Sequence, residues 1–146
     1  MYAIVRYSLT IAGSICAALL AGESAFGQTL KGEASHDAAK GRDSYIANCS
    51  ACHQANGDGL ADVFPPLKGS GVVNKDDAAK HIHIVLDGMH GAPAGGVVYT
   101  GVMPPFAGTL SDAAIADIIN YERTSWGNHG KSVTAAQVAA ERAHPE

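Results

Sequence analysis

The chain has 146 residues, of which 47% are hydrophobic and 16% are charged, so it is long enough for one compact domain and too short for two ordinary ones. Lys and Arg number 10 against 14 Asp and Glu, a net charge of -4, and no basic run is interleaved with aromatic residues. This balance excludes a nucleic-acid partner and a polybasic membrane-surface protein. Only 6% of the residues are aromatic, while 17 are Gly and 6 are Pro, so the apolar core is thin for this length.

The amino-terminal residues have the pattern of a secretory signal peptide. One arginine precedes residues 9–21, an uncharged run rich in Ala and Leu, and Ala25 and Gly27 are small residues where signal peptidase reads the chain. The 13 residues of this run are fewer than the ~20 of a membrane-spanning helix, which disfavours an uncleaved anchor. We therefore expect residues 1–27 to be removed and the mature protein to begin at Gln28 in the periplasm, without stable membrane insertion.

Cys16 raises a second alternative for the amino terminus, a lipid-anchored protein. Ile15 stands where a lipoprotein signal requires a small residue, so this alternative is rejected. Residues 28–36 are polar and unpatterned, and we expect a flexible arm there. Residues 37–146 are expected to form the folded domain.

The first helix is predicted over residues 37–53, where Tyr45, Cys49 and Cys52 recur at helical spacing and no proline interrupts the run. Glycines and prolines then break up residues 54–71, which predicts a loop with fixed turns.

The second helix is predicted over residues 75–87. Asn74 is a candidate N-cap, and Gly88 stands where the helix is expected to end. Residues 89–108 are rich in glycine and proline, so we expect no regular element there but one long loop. Long loops in compact domains are usually functional.

The third helix is the clearest in the sequence. Ser111 is the expected N-cap, Leu110 and Ile115 form a hydrophobic staple, and Gly127 follows the last turn. Its buried side is predicted to consist of Ile115, Ile118, Ile119 and Tyr121.

A short tail helix is predicted by a capping box made of Thr134 and Gln137. No strand alternation of useful length and no internal repeat is found in the sequence. The expected fold class is therefore all-α.

The most specific motif is Cys49-Ser50-Ala51-Cys52-His53, the C-x-x-C-H signature of covalent c-type haem attachment. In a helix these two thiols and the imidazole project from one face, so both sulfurs can form thioethers with one haem while His53 reaches its iron. Two alternatives stay open. A thioredoxin-like redox pair lacks its βαβ surroundings, and half of a zinc site lacks a second cysteine pair.

Across about residues 37–130 the sequence resembles a single-haem class I cytochrome c. The resemblance is carried by the C-x-x-C-H motif, by Gly41 and Tyr45 ahead of it, and by Tyr121 as the aromatic partner on a later helix. Residues 64–69, Phe-Pro-Pro-Leu-Lys-Gly, are similar to the family's proline loop. The resemblance implies an all-α cytochrome c fold, with three to four helices wrapped around one covalently bound haem c.

The resemblance also implies roles for residues around the haem. Cys49 and Cys52 would form the thioethers, and His53 would be the proximal iron ligand. In the proline loop a proline carbonyl accepts the other imidazole N–H of that histidine, and Pro65 is the better candidate, ahead of Pro66.

Residues 101–108 resemble the family's axial methionine loop, which makes Met103 the expected second iron ligand. A methionine by itself is more often a filler of the core than a ligand, so this assignment depends on the haem motif. The competing candidates are Met89, His81, His83 and His90. The two helical histidines cannot share one helix face, so we expect each to be a surface or packing residue.

An iron with two strong axial ligands has no open position, so the expected function is electron transfer and not catalysis. The alternative is a haem enzyme or sensor, which would require Met103 to be displaced.

Residues 121–128 and 133–138 are similar to the cytochrome domains of bacterial periplasmic alcohol and aldehyde dehydrogenase complexes. Those subunits often carry several haem domains, whereas this chain has one C-x-x-C-H, which favours a free carrier or a small accessory subunit. The expected partners are a periplasmic dehydrogenase as electron donor and a terminal oxidase or another cytochrome as acceptor.

Overall fold

The computed structural model describes residues 37–91 and 93–144, so the predicted signal peptide and arm lie outside the described residues. The described chain forms five helices: α1 (Ala38–Asn48), α2 (Ser50–His53), α3 (Ala79–Asp87), α4 (Asp112–Thr124) and α5 (Ala135–Arg142). Four two-residue strands lie between α3 and α4: β1 (Met89–His90), β2 (Pro93–Ala94), β3 (Val97–Val98) and β4 (Val102–Met103). β1 pairs antiparallel with β4, and β2 with β3. None of the described helices has the length and apolar character that crossing a membrane requires.

The contact between α1 and α4 depends on a glycine. A Cβ atom at Gly41 would overlap the backbone carbonyl of Asp117, so only glycine lets the two helices approach this closely. One turn further along α1, Tyr45 is fully buried, and its ring centroid lies 5.2 Å from those of both Tyr121 and Trp126. The predicted packing of Gly41 and Tyr45 against Tyr121 is therefore confirmed, with Trp126 as a further member of the cluster.

The apolar core lies between α3, α4 and α5. Its buried members are Ala78, Ile82, Val85, Leu86, Ile115, Ala116, Ile119, Val133 and Val138. The segment before α5 is fastened by Asn120, whose side chain donates to the Val133 carbonyl at 2.8 Å and accepts from the Val133 N–H at 2.7 Å. Since Asn120 is itself buried, this pair satisfies polar groups that could not reach water.

The predicted signals at the starts of α4 and α5 and at the end of α3 are confirmed. The Ser111 hydroxyl accepts from the Ala114 N–H at the start of α4, and Thr134 and Gln137 form a complete capping box at the start of α5. Gly88 ends α3 with a φ of 76°, in the left-handed region that favours glycine.

The prediction of one continuous helix over residues 37–53 is wrong. The helix is interrupted at Cys49, whose φ of -117° departs from the helical value of about -63°. The N–H of His53 still donates to the Cys49 carbonyl at 3.0 Å, so the chain continues in helical form after the break. Because a single distorted residue does not change the apolar spacing, the sequence pattern could not show it.

The second helix begins at Ala79 and not at residue 75, and Asn74 is not its N-cap. The Asn74 side chain instead donates to the Ser70 carbonyl and to Asn128 Oδ1, each at 2.9 Å. Asn128, in the loop after α4, therefore competes for the Asn74 side chain that was expected to cap α3. Asp77 accepts from the Ala79 N–H at 3.0 Å in its place.

The expectation of no regular element in residues 89–108 is also wrong. This segment contains the two short antiparallel pairs, with Met89 opposite Met103 and Pro93 opposite Val98. Two-residue pairings are too short for alternation to be visible in a sequence, and they depend on backbone hydrogen bonds between distant residues.

Candidate haem-binding site

The two cysteines and His53 line one cavity, as their spacing predicts. Cys49 occupies the break between α1 and α2, Cys52 lies in α2, and His53 is its last residue. Both thiols are free and partly buried, while His53 is buried. The side chains therefore face the same space although the helix that carries them is interrupted.

The ring of His53 is oriented by the backbone of residue 65. Its Nδ1 lies 2.9 Å from the Pro65 carbonyl, which can only accept, so Nδ1–H is the donor and Nε2 carries the free lone pair. Of the two predicted candidates, it is Pro65 and not Pro66 that makes this contact. A Cβ at Gly59 would overlap the carbonyls of Phe64 and Pro65, so this glycine allows the proline loop to lie against the end of α2.

The segment that carries Met103 is fixed from both sides. Gly88 lies against the backbone of Met103 and Pro104, where a Cβ atom would overlap. Just beyond, the N–H groups of residues 106 and 107 donate to the carbonyls of Val85 and Leu86, each at 3.1 Å. These carbonyls belong to the last turn of α3, which otherwise lacks partners for them. The helix end thus positions the methionine loop.

The proline loop and the methionine loop are joined to each other as well. The Gly101 N–H donates to the Val63 carbonyl at 2.8 Å, and the Thr100 N–H donates to the Asp62 carbonyl at 3.1 Å. A Cβ at Gly101 would overlap the ring of Phe64, so the two loops meet with no space between them. His53 and Met103 are therefore carried by segments that hold each other in place.

The cavity between these segments is partly open to solvent. Its walls are mainly apolar, and they include the two thiols, one imidazole and two thioethers. The lining residues are Asn48, Cys49, Cys52, His53, Phe64, Pro65, Met89, Gly91, Tyr99, Gly101, Val102, Met103, Pro104 and Phe106. This donor set fits haem c, with two sulfurs for covalent attachment, a nitrogen and a thioether for the iron, and apolar walls for the porphyrin.

The surroundings of Cys49 disfavour the alternative of a thioredoxin-like redox pair. Burial raises the pKa of the Cys49 thiol, and the negative charge of Glu122 adds to this effect. Reactive cysteines in redox motifs have a lowered pKa instead, because the thiolate is the nucleophile. For the zinc alternative, residues 37–91 and 93–144 contain no group of three or more His, Cys, Asp or Glu side chains placed to hold a metal ion.

Among the competing candidates for the iron, the three histidines do not line the cavity. His81 and His83 are buried, so they are packing residues and not surface residues. His81 Nε2 lies 2.8 Å from a carboxylate oxygen of Glu122, and His83 Nε2 lies 3.0 Å from one of Glu141. His90 is exposed.

Met89, one of the competing candidates from the sequence, does line the cavity. It is paired directly with Met103 across β1 and β4. Tyr99 is a further lining residue that the sequence did not indicate, because one aromatic residue in a glycine-rich loop has no distinctive pattern. The positions of Met89 and Tyr99 in the cavity become visible only when the fold brings distant segments together.

The helices of this chain enclose an apolar cavity that is lined by a C-x-x-C-H motif and a methionine. This arrangement is typical of proteins that bind haem covalently. The profile of the cytochrome c family matches residues 38–126 of this chain. The chain belongs to the cytochrome c family. Its members carry covalently bound haem c, and the Cys49-x-x-Cys52-His53 arrangement fits that attachment.

Three curated relatives illustrate the similarity. The cytochrome c subunit of a quinone alcohol dehydrogenase from Gluconacetobacter polyoxogenes is 37% identical over 99 residues, 67% of this chain and 21% of the relative. The gluconate 2-dehydrogenase cytochrome c subunit of Pantoea cypripedii is 36% identical over 113 residues, 73% of this chain and 24% of the relative. Cytochrome c-552 of Thermus thermophilus is 38% identical over 89 residues, 58% of this chain and 67% of the relative. The chain thus spans less than a quarter of the length of the two dehydrogenase subunits, and the relatives are named as cytochromes or cytochrome subunits.

Proposed function

We propose that this chain is a periplasmic electron-transfer protein that carries single electrons on one haem c and is not itself an enzyme. Cys49 and Cys52 would hold the haem through thioethers, and His53 and Met103 would bind its iron. The observation that carries this proposal is that all four side chains line one apolar cavity, on segments that are joined to each other.

When bound, haem c supplies reversible one-electron chemistry between Fe(III) and Fe(II). His53 would bind the iron with Nε2, because its Nδ1–H lies on the Pro65 carbonyl, which fixes the ring and would make it a stronger donor. Met103 offers a thioether, which favours Fe(II) over Fe(III) more than a second imidazole does. The apolar walls penalise the extra positive charge of the ferric state. Both effects raise the reduction potential, so a high-potential carrier is expected.

The role of Met103 is tested with the variant Met103→His. Imidazole is the stronger donor to Fe(III), so the midpoint potential should fall, on the order of 0.1 V or more within the ~0.8 V range that axial ligands control. The variant Val102→His is the matched control, because it places the same residue next door on an exposed position. Spectroelectrochemical titration measures both. An unchanged potential in Met103→His, or an equal fall in Val102→His, would show that Met103 does not bind the iron.

The electron donor is proposed to be a periplasmic dehydrogenase, and the acceptor a terminal oxidase or another cytochrome. The names of the relatives support the donor, because several are cytochrome subunits of alcohol or gluconate dehydrogenases. The same names favour a second candidate function, a dedicated subunit of such a dehydrogenase. Purification of the tagged chain from native periplasm and membranes separates the two: a dehydrogenase present in fixed ratio supports the subunit, and a chain that elutes without one supports the free carrier.

Export to the periplasm is proposed from the amino-terminal pattern. Cleavage after Gly27 would leave Gln28 as the first residue, a polar arm over residues 28–36, and the cytochrome domain over residues 37–146. Intact-mass measurement on the exported holoprotein tests this assignment. A mass that includes residues 1–27 together with one haem would contradict the cleavage.

A further inference from the structure

The pairing of β1 with β4 places two thioethers in the same cavity. Met89 is the cross-strand partner of Met103, and both side chains line the cavity and are partly buried. His90 and Val102 form the other pair of this ladder and are exposed. The side chains of a ladder alternate between its two faces, so the face that carries both methionines is the one turned toward the site.

The spacing of such a pair brings the two sulfurs within reach of one position. Directly opposite residues in an antiparallel ladder have Cβ atoms about 4.5–5.5 Å apart. A methionine side chain is unbranched, with three rotatable bonds and a soft sulfur that suits iron. Met89 can therefore present the same donor atom as Met103 to the same region of the cavity.

The two methionines are carried by different segments of the chain. Met89 follows α3 directly, and the carboxyl end of that helix is fastened by hydrogen bonds from residues 106 and 107. Met103 stands between exposed neighbours, with Val102 on one side and Pro104 and Pro105 on the other. Release of the Met103 sulfur would therefore leave Met89 on its own segment, still lining the cavity.

We propose that Met89 is a reserve axial ligand, which binds the haem iron when Met103 leaves it. This inference rests on the proposed function, in which Met103 is the resting ligand. With the reserve thioether the iron would keep two strong ligands when the Met103 sulfur is released, so the carrier would stay closed to small exogenous ligands. His90 does not have this role, because its side chain is on the exposed face.

The test compares holoprotein variants by the weak long-wavelength charge-transfer band of sulfur-bound ferric haem and by carbon monoxide binding to the ferrous form. Met103→Ala should keep the band, now from Met89. The double variant Met89→Leu/Met103→Ala should lose the band. If Met89 holds the iron in about nine molecules of ten, the double variant should bind carbon monoxide about tenfold more tightly than Met103→Ala.

Two further variants serve as controls. Met103→Ala/Val102→Ala alters the same ladder without removing a sulfur, so it should behave as Met103→Ala does. Met103→Ala/His90→Ala should also keep the band, since His90 is not the substitute. Should Met103→Ala fail to fold, Met103→Leu, which keeps the side-chain volume, replaces it in every comparison.

The outcomes separate this inference from the proposed function. A wild-type band that disappears in Met103→Ala overturns the reserve role and leaves Met103 as the established ligand. A band that survives Met103→Ala and is already lost in Met89→Leu makes Met89 the resting ligand and overturns both assignments.

Discussion

At the scale of single residues, the site depends on how His53 is surrounded. The Pro65 carbonyl leaves only Nε2 of the ring for a metal, and the two cysteines ahead of it face the same cavity. The C-x-x-C-H motif predicted this grouping because it contains all three side chains within five residues. The identity of the carbonyl partner needed the resemblance to the family, since no local pattern distinguishes Pro65 from Pro66.

Loss of any of these three side chains should reduce the amount of haem-loaded protein. Cys49→Ala and Cys52→Ala each remove one thioether, and His53→Ala removes the proximal ligand, so the yield of holoprotein should collapse in each. Haem staining of denaturing gels, normalised to total protein, measures this. Ala51→Ser is the matched control within the motif, at an exposed position, and should stain as wild type does. Undiminished stain in the double cysteine variant would contradict covalent attachment.

Gly59→Ala should destabilise the protein more than Gly69→Ala does. Both glycines have a φ near 70°, where any other residue is strained by about 1–2 kcal/mol. A Cβ at residue 59 also overlaps the Phe64 and Pro65 carbonyls, whereas at residue 69 it meets nothing within 4 Å. The free energy of unfolding in urea compares the two variants. Equal losses would mean that the proline loop is not pressed against α2.

At the scale of elements, the sequence predicted best where signals are local. The start of α4 was read from Ser111 and that of α5 from its capping box, because both depend on side chains within one turn. The start of α3 was misjudged because Asn74 is occupied by Asn128, a residue more than fifty positions away. The ladder of β1 and β4 was missed for the same reason, since it pairs residues twelve or more positions apart.

Gly41→Ala tests the contact between α1 and α4. Alanine is the better helix former by about 1 kcal/mol, so an exposed glycine would gain from the change. Here the added Cβ overlaps the Asp117 carbonyl, and overpacking of this kind costs about 1–3 kcal/mol. We expect a net loss in the free energy of unfolding, against little change in Gly71→Ala, where the Cβ meets nothing. A gain in stability at residue 41 would contradict the close crossing.

Arg142 fastens α5 to the segment ahead of α4. Its guanidinium donates to the Asp112 carboxylate at 2.7 Å, to the Leu110 carbonyl at 3.0 Å and to the Ala107 carbonyl. Arg142→Ala should cost about 1–3 kcal/mol, because these carbonyls lose a charged donor. Arg42→Ala, which removes an exposed ion pair with Asp43, should cost about 0–1 kcal/mol. Urea unfolding measures the free energy of unfolding of both variants. Equal losses would show that Arg142 does not fasten α5.

At the scale of the whole molecule, the composition already indicated that the protein core is incomplete. The buried apolar cluster occupies one side of α3 and α4, while Met103 and Phe106 are only partly buried where they face the cavity. The sequence could show the shortage of aromatic residues and the motif that attaches a haem. It could not show that the segments carrying the proline and methionine loops are joined by backbone hydrogen bonds, since such bonds leave no pattern in the sequence.

Folding is therefore expected to depend on the haem. The double variant Cys49→Ala/Cys52→Ala, purified without haem, should show less helix by circular dichroism and a broad thermal transition instead of the cooperative one of the holoprotein. A sharp transition at the holoprotein midpoint would mean that the protein core alone stabilises the fold.

In an electron carrier, His53 and Met103 would together hold the iron of one haem c and leave no position for another ligand. The most direct measurement is the visible spectrum of purified wild-type holoprotein, recorded oxidised and then reduced under carbon monoxide at neutral pH. We expect the weak long-wavelength sulfur-to-iron band in the oxidised protein and a reduced spectrum that carbon monoxide leaves unchanged. An oxidised protein without that band, whose reduced form binds carbon monoxide at once, would contradict the carrier and indicate a haem enzyme or sensor.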